Sequence, residues 1–159
     1  MQVRPDERLE VSVLTGAAAF EALEGEWDDL HRSSPAATPF QSWAWLYSWW
    51  ESYGQDHDLR LVAVRSGGLL VGLLPMMLER GRVFRKLLFV GTGLTDYNDV
   101  LARGGWEGLV AEAGGRALWG MGGWHMVELQ ELRPGAAAWG LFRGWGGPSG
   151  ANGSRFVRP

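Results

Sequence analysis

The chain has 159 residues, a formal net charge of -3 and no cysteine. This length suits one domain, and the lack of cysteine excludes disulfide bonds, thiolate catalysis and cysteine-ligated zinc. The basic residues are scattered, which argues against a nucleic acid partner, and no apolar run reaches the roughly 18 residues that span a bilayer. Residues 1–10 are mostly polar and lack the apolar core of a signal peptide, so we expect a cytoplasmic protein.

The first three predicted elements are a strand and two helices. Alternating apolar residues predict a strand over residues 9–13, and apolar spacings of three and four predict a helix over residues 17–32. A second helix begins either at Thr38, which can form a capping box with Gln41, or at Ser42. We expect the apolar stripe of this helix to pack on a sheet, and the alternative is that one of its tryptophans lines a ligand pocket. Gly54 follows this stripe and is expected to end the helix. The stripe consists of Trp45, Leu46, Trp49, Trp50 and Tyr53.

Three antiparallel strands are predicted next. Residues 59–65 and 69–78 are largely apolar and flank the sequence Ser-Gly-Gly, which is a good hairpin connection. Pro75 lies inside the second of these strands and has no N–H to donate. That strand is therefore expected at a sheet edge, with a bulge, or ended at the proline. Residues 83–90 form the third strand of the meander.

Shorter elements complete the predicted fold. Residues 91–99, with the sequence GTGLTDYND, form a polar loop that leads into a short strand at 100–101. A helix over residues 106–119 and a strand over residues 124–132 follow. The order of the elements predicts an α+β or mixed α/β fold, with helices packed on a largely antiparallel sheet.

The end of the chain has the composition of a turn or linker. Residues 144–153 are rich in glycine, proline, serine and asparagine, and they show no hydrophobic periodicity. We expect one folded domain over residues 1–143 and a flexible tail or truncated linker over residues 144–159. Coil structure and high exposure are expected throughout that tail.

Several kinds of site lack the residues they need. The sequence contains neither the G-x-S-x-G nucleophile elbow nor a G-x-x-x-x-G-K-[ST] phosphate-binding loop. A metal-binding pair is absent, because the histidines lie far apart in the sequence, at His31, His57 and His125. Asp96 and Asp99 suggest a calcium loop, but no glycine and no distal glutamate follow in register. Asp96 also stands where a dinucleotide-binding loop would have its third glycine, so we expect neither a metal nor a dinucleotide.

Three segments can be compared together with known families: FQSWAWLYSWW at 40–50, LRLVAVRSGGLLVGLLPM at 59–76 and FVGTGLTDYNDVL at 89–101. They resemble the GNAT-superfamily acyltransferases of the cellulose-biosynthesis-protein type, which are similar in turn to the Fem-type aminoacyltransferases. The family pattern is an F-Q-S-x-x-W…W-W helix, a hairpin ending in G-x-L-P-L, and a loop G-x-x-x-S-D-Y-x-D-x-L. Thr95 stands at the serine of that loop. The resemblance covers roughly residues 20–132.

The resemblance implies an acyl-CoA-dependent N-acyltransferase, of which this chain is the N-terminal, GNAT-like half. The cofactor would be acetyl-CoA or another acyl-CoA. Its pyrophosphate would lie on the backbone N–H groups of a [QR]-x-x-G-x-[GA] loop in a missing C-terminal half-domain. The acceptor would be an amine of a small molecule, a peptide or a sugar. Segments 88–93, 117–122 and 141–146 have the two glycines of that loop but not its polar first residue, so the cofactor-binding residues are unknown.

Acyl transfer to an amine needs a base or water chain, a donor for the developing oxyanion and a proton donor for the leaving thiolate. The polar loop supplies a carboxylate and a phenol, and its candidate catalytic residues are Asp96, Tyr97 and Asp99. Alternatively, both aspartates are turn residues that bond to backbone N–H groups. The candidate substrate-binding residues are Gln41, Trp45 and Trp49. Two other interpretations stay open: a non-catalytic GNAT-like binding or interaction module, and a small complete GNAT enzyme with an unusual cofactor loop.

Overall fold

Seven strands form one sheet in the part of the chain that the computed structural model describes, which is residues 8–81, 83–143, 145 and 155–158. The sheet has the order β1-β2-β3-β4-β6-β7, and β5 also pairs with β3. The pair β4–β6 is parallel and the other pairs are antiparallel. The predicted mixed α/β fold with a largely antiparallel sheet is therefore confirmed. The strands are β1 (Leu9–Leu14), β2 (His57–Ser66), β3 (Leu69–Glu79), β4 (Lys86–Phe89), β5 (Leu101–Ala102), β6 (Met126–Glu128) and β7 (Arg155–Val157).

Helices cover both faces of this sheet. They are α1 (Ala17–Ala22), α2 (Glu24–Arg32), α3 (Trp43–Tyr53) and α4 (Glu107–Met121). Successive side chains of a strand point to opposite faces, so β2 contributes Leu61 and Ala63 to one core and Val62 and Val64 to the other. The first core includes the buried residues of α1, α2 and α3, and the second includes those of α4. None of the helices in the described ranges is both long and apolar enough to cross a bilayer.

The predicted helix boundaries are largely confirmed, but one predicted helix is divided into two. The helix expected over residues 17–32 is two helices that meet at Leu23. Both start signals of the second helix are used: Thr38 and Gln41 form the capping box of a 3₁₀ turn (Pro39–Gln41), and Ser42 then caps α3. The apolar stripe of α3 is divided, since Leu46 and Trp49 are buried whereas Trp45 and Tyr53 are exposed.

Pro75 lies in the interior of the sheet because β3 changes partners beside it. On one edge β3 pairs with β4 through Met76–Leu78 and with β5 through Gly72 and Leu73. The Pro75 carbonyl accepts from Val90 N at 2.8 Å, so the missing N–H falls on the same edge, in the gap between β4 and β5. The edge position, bulge or strand end expected at Pro75 is not found: the register shift between β2 and β3 lies at Val64 and Arg65, whose partners are Gly72 and Leu70. The polar loop leaves the sheet through this gap.

The glycines of α4 face neighbouring backbone and side chains at close range. A Cβ at Gly115 would lie 2.2 Å from the Leu141 carbonyl oxygen, and one at Gly114 would lie 2.7 Å from Leu74 Cδ2. These glycines allow α4 to approach the sheet and the 3₁₀ segment Ala137–Phe142, so packing outweighs their low helix propensity.

Two expectations for the second half of the chain are wrong in part. The strand expected over residues 124–132 is only Met126–Glu128, since Glu131 has a φ of 57° and turns the chain. Coil was expected over residues 144–159, yet Arg155–Val157 pairs with β6 and Trp145 is buried. The cause is tertiary: Glu128 forms an ion pair with Arg155, and the Phe156 ring packs on that of Trp145. Residues 144, 146–154 and 159 of the predicted tail lie outside the described residues.

Candidate functional site

The polar loop at residues 91–99, named here the 91–99 loop, begins with a tight turn. Gly91 has a φ of 97°, and its carbonyl accepts from Leu94 N and Thr95 N. A Cβ on Gly91 would lie 2.3 Å from Thr95 Oγ1, so only glycine fits there. The loop then runs from the end of β4 to the backbone that follows β6, where Asn98 Nδ2 donates to the Gln130 carbonyl at 3.1 Å.

Asp99 is buried and bonded to backbone on every side. Its carboxylate accepts from Val100 N at 2.8 Å, Ala138 N at 2.9 Å and Ala137 N at 3.2 Å. Burial raises the pKa of this carboxyl, and the three N–H donors offset that effect only in part. Asp99 therefore connects the loop to the first turn of the 3₁₀ segment, as the turn interpretation expects.

Gln41 lies in the interior rather than on a binding surface. Its Oε1 accepts from Thr38 N at 2.8 Å and from Thr38 Oγ1 at 2.9 Å, and its Nε2 donates to the Tyr97 carbonyl. Tyr97 has a φ of 55°, which is unusual for a residue with a side chain. The Gln41 amide thus supports a strained point of the loop.

Trp45 connects the same loop to α3. Its Nε1 donates to Thr95 Oγ1 at 3.0 Å, although its ring stays 41% exposed. Thr95 is buried, and it stands where the resembled family has a serine, which would supply the same hydroxyl acceptor. The first and third family-like segments are therefore bonded to each other at two points.

Three side chains of the loop project outward: Leu94, Asp96 and Tyr97. Leu94 is 57% exposed and Tyr97 is 50% exposed. The Arg133 guanidinium lies over the Tyr97 ring, 5.5 Å from its centroid, and the Phe40 ring lies 6.5 Å away. Asp96 and Tyr97 are thus exposed to solvent, while Asp99 is buried.

A groove of about 250 Å³ runs along α3 beside the loop. Aromatic rings and small hydroxyl side chains of α3 line one side of the groove, and Leu94 of the 91–99 loop lines the other. Its lining residues are Trp45, Ser48, Trp49, Ser52, Tyr53 and Leu94. Trp49 is 8% exposed, its Nε1 is buried without a hydrogen-bond partner, and its ring lies 6.3 Å from that of His57.

The structure brings the predicted site residues to one region but gives them different roles. Trp45 and Trp49 line the groove, Asp96 and Tyr97 are exposed on the 91–99 loop outside its lining, and Gln41 and Asp99 are bonded internally. Sequence reasoning did not identify Leu94, Ser48 and Ser52. The two serines lie at i+3 from Trp45 and Trp49, and that helical spacing was the available signal.

The histidines take separate structural positions. His31 Nε2 lies 2.7 Å from the Thr38 carbonyl, and His125 Nδ1 accepts from Arg85 N at 3.0 Å. Across the described ranges, no three histidine or acidic side chains are grouped closely enough to hold a metal ion.

Neither of the two fully described segments with that glycine spacing, 88–93 and 117–122, fits the pyrophosphate of acyl-CoA. In segment 88–93 and the residues after it, the N–H groups of Thr92, Leu94 and Thr95 are all bonded to carbonyls of the turn. Segment 117–122 lies at the C-terminal end of α4, where the helix dipole repels an anion. Segment 141–146 lies partly outside the described residues.

A solved structure is similar to this chain. It is the spermidine N-acetyltransferase from Vibrio cholerae in complex with CoA and spermine, with a TM-score of 0.41 and 15% identity over 76% of this chain and 69% of that chain. No family model matches this chain, and no curated protein matches it. Similarity at this level establishes neither a common family nor a common function.

Proposed function

We propose that this chain is the acceptor-binding half of an acyl-CoA-dependent N-acyltransferase, and that a second GNAT-like half binds the acyl-CoA. The main support is that the three family-like segments meet at one place. Gln41 and Trp45 of the first segment bond to Tyr97 and Thr95 of the third, and Pro75 of the second accepts from Val90 N at the base of the loop. Segments far apart in sequence thus build one rigid loop beside one groove.

The assignment of acyl-CoA to another half follows from how this loop is bonded. An anion site needs backbone N–H groups that point outward, whereas those of Thr92, Leu94 and Thr95 point into the turn. Open α/β sheets commonly bind ligands beyond the carboxyl ends of their parallel strands. In this chain, the region beyond the ends of β4 and β6 is occupied by the 91–99 loop, which is hydrogen-bonded there through Asn98 and Asp99.

The outward side chains supply the chemistry of acceptor binding. The Asp96 carboxylate would attract a protonated amine, because an opposite charge nearby favours the charged form of each group. Tyr97 and the exposed ring of Trp45 would hold the carbon body of the acceptor. The acceptor is an amine of a small molecule, a peptide or a sugar. Asp99 has a positioning role, because its carboxylate is bonded to three backbone N–H groups.

Calorimetry with this chain tests the proposal. Acetyl-CoA should show no tight binding, and a dissociation constant of order 1 μM, about -8 kcal/mol, would instead favour a small complete enzyme. Primary amines and polyamines should bind weakly, and Asp96→Asn should weaken them at least tenfold. Glu24→Gln, which removes an exposed carboxylate of α2 outside the groove, is the matched control and should leave amine affinity within twofold.

The second candidate is a non-catalytic binding module of the same fold. The observation that favours it is that the polar side-chain atoms of Gln41 and Asp99 form hydrogen bonds inside the protein. This candidate expects no amine binding that depends on Asp96. Acyl transfer by the protein together with its second half, lost in Asp96→Asn, would exclude it.

A further inference from the structure

Strand β1 lies at the edge of the sheet. Within the described ranges, β1 pairs only with β2, in regular register over all six of its residues. Natural proteins protect edge strands with lysine, proline, bulges or covering segments. Strand β1 has none of the first three, and its single charge is Glu10, which lies opposite Arg65 of β2. Its outer backbone groups can therefore pair with another strand.

The face of this edge that points to α4 is apolar and open. Val11 is 40% exposed and Val13 is 39% exposed, both on the same face as Leu9. Together with Ala117 and Met121 of α4 they line a groove of about 700 Å³. A single exposed valine is ordinary, but a row of exposed apolar side chains on an edge strand indicates an interaction surface.

We propose that the occupant of this surface is β1 of a second copy, paired antiparallel about a two-fold axis at Val11. Val11 then lies opposite the partner's Val11, and Leu9 lies opposite the partner's Val13. Glu10 lies opposite the partner's Ser12. A two-fold contact of this kind uses the same patch on both copies, and it joins the two sheets into one.

The sequence of β1 selects this register. Residues directly opposite each other must point to the same face of the joined sheet, so the axis has to pass through a residue position. An axis at Glu10 would oppose two carboxylates, and an axis at Ser12 would place Glu10 against the apolar side chain of the partner's Leu14. With the axis at Val11, every pair on the groove face is apolar, and the carboxylate meets a hydroxyl. Leu14 lies opposite the partner's Arg8, which precedes β1 and is exposed, so this charge lies outside the paired strands. This inference does not depend on the proposed acyl transfer.

Sedimentation equilibrium with charged variants tests both the surface and the register. The wild-type chain should dimerise, and Val11→Lys and Val11→Glu should each weaken the dimer at least tenfold, because like charges then lie opposite each other. Mixing the two variants should restore a dimer, since opposite charges now meet at the axis. Val83→Lys, at a residue that is 86% exposed, is the control and should leave the dimer intact.

Cross-linking gives a second readout that does not rely on charged variants folding. The chain has no cysteine, so Val11→Cys carries a single thiol. Paired strands bring opposite residues close enough for a disulfide, so a mild copper oxidant should yield a covalent dimer from Val11→Cys but not from Val83→Cys. A monomeric wild-type chain, a dimer that survives both charged variants, or no cross-link at Val11→Cys would each overturn the proposal.

Discussion

The helices on the two faces of the sheet pack in different ways. On the α3 face, indole N–H groups bond to distant acceptors: Trp27 bonds to the Gln41 carbonyl, and Trp45 bonds to Thr95 Oγ1. On the α4 face, glycines bring the helix close to its neighbours, and the buried Trp124 and Trp145 rings donate to the Leu118 and Gly115 carbonyls of that helix. The middle of α4 is thus close-packed, whereas the α3 face keeps exposed aromatic rings beside the 91–99 loop. A ligand site is expected on the second kind of surface.

The largest effect should come from Asp99, which joins the two faces. Asp99→Ala removes the acceptor of three backbone N–H groups, two of them in the 3₁₀ segment. Unpaired buried donors are costly, so we expect a loss of about 3 kcal/mol in the free energy of unfolding, measured by urea titration. Asp96→Ala is the matched control and should change stability by less than about 0.5 kcal/mol. Equal losses in both variants would contradict the division of roles between the two aspartates.

Close packing on the α4 face makes Gly115 the next most sensitive position. In Gly115→Ala the new methyl group meets the Leu141 carbonyl at 2.2 Å, and backbone cannot move aside as a side chain can. Overpacking should lower the unfolding free energy by about 2 kcal/mol. Gly120→Ala, in the same helix but with no atom within 4 Å of the new Cβ, should be neutral or stabilising by up to about 1 kcal/mol. If both substitutions destabilise equally, helix geometry rather than packing is responsible.

The exposed part of the loop should affect activity and not stability. In the protein with its second half, Asp96→Asn should lower kcat/KM at least tenfold, which is about 1.4 kcal/mol of transition-state binding. Its melting temperature should stay within 1 °C of wild type, roughly the shift expected from a few tenths of a kcal/mol. A loss of thermal stability with unchanged turnover would instead support the turn interpretation for Asp96 as well.

The bond between Trp45 and Thr95 can be measured by a double-mutant cycle. Trp45→Phe removes the donor and Thr95→Val removes the acceptor, while both keep most of the side-chain volume. The coupling energy should be about 1 kcal/mol, because a net hydrogen bond contributes that much. Hydrogen exchange at Thr95 N and Leu94 N should accelerate in both single variants. A coupling energy near zero would show that the loop is held by its other contacts.

Local signals in the sequence predicted local structure well. Thr38, Gln41 and Ser42 were identified as caps, and the hairpin around Gly67 and Gly68 forms as expected, since these features depend on neighbouring residues. The position of Pro75 was not predicted, because it depends on where two other strands diverge. Strand β7 was missed for the same reason: three residues after a glycine-rich segment become a strand only through pairing with β6.

The candidate site divides in the same way. Motif reasoning selected Trp45 and Trp49, which line the groove, and Asp96, which is exposed on the 91–99 loop. It also selected Gln41 and Asp99, whose partners are 56 and 39 residues away at their most distant. Residue type does not distinguish a buried amide that supports a loop from one that binds a ligand. Only the tertiary partner does, and for that reason the structure was needed to separate the two groups.

The smallest effect concerns Glu128, which bonds β6 to both neighbouring strands. Its carboxylate lies 3.2 Å from Lys86 Nζ of β4 and 2.6 Å from Arg155 Nε of β7. Burial raises the pKa of Glu128, but the bonds and charges of these two cations outweigh burial, and the pKa falls below its ordinary value of 4.5. The unfolded chain therefore binds this proton more readily, so the stabilising contribution is complete above about pH 4.5 and is lost as the pH falls through the lowered value.

Glu128→Gln should remove this pH dependence. Because Arg155 is 67% exposed and Lys86 is 37% exposed, solvent screens the pair, and we expect only about 0.5 kcal/mol at pH 7. Urea unfolding of both proteins between pH 7 and pH 3 should show the difference shrinking below about pH 4.5, and 1 M salt should reduce it at neutral pH. Asp99 should act with the opposite sign, since its pKa is raised: the part of the stability that depends on its proton decreases as the pH rises through that value. A stability difference that stays constant down to pH 3 would mean that Glu128 acts through packing and not through its charge.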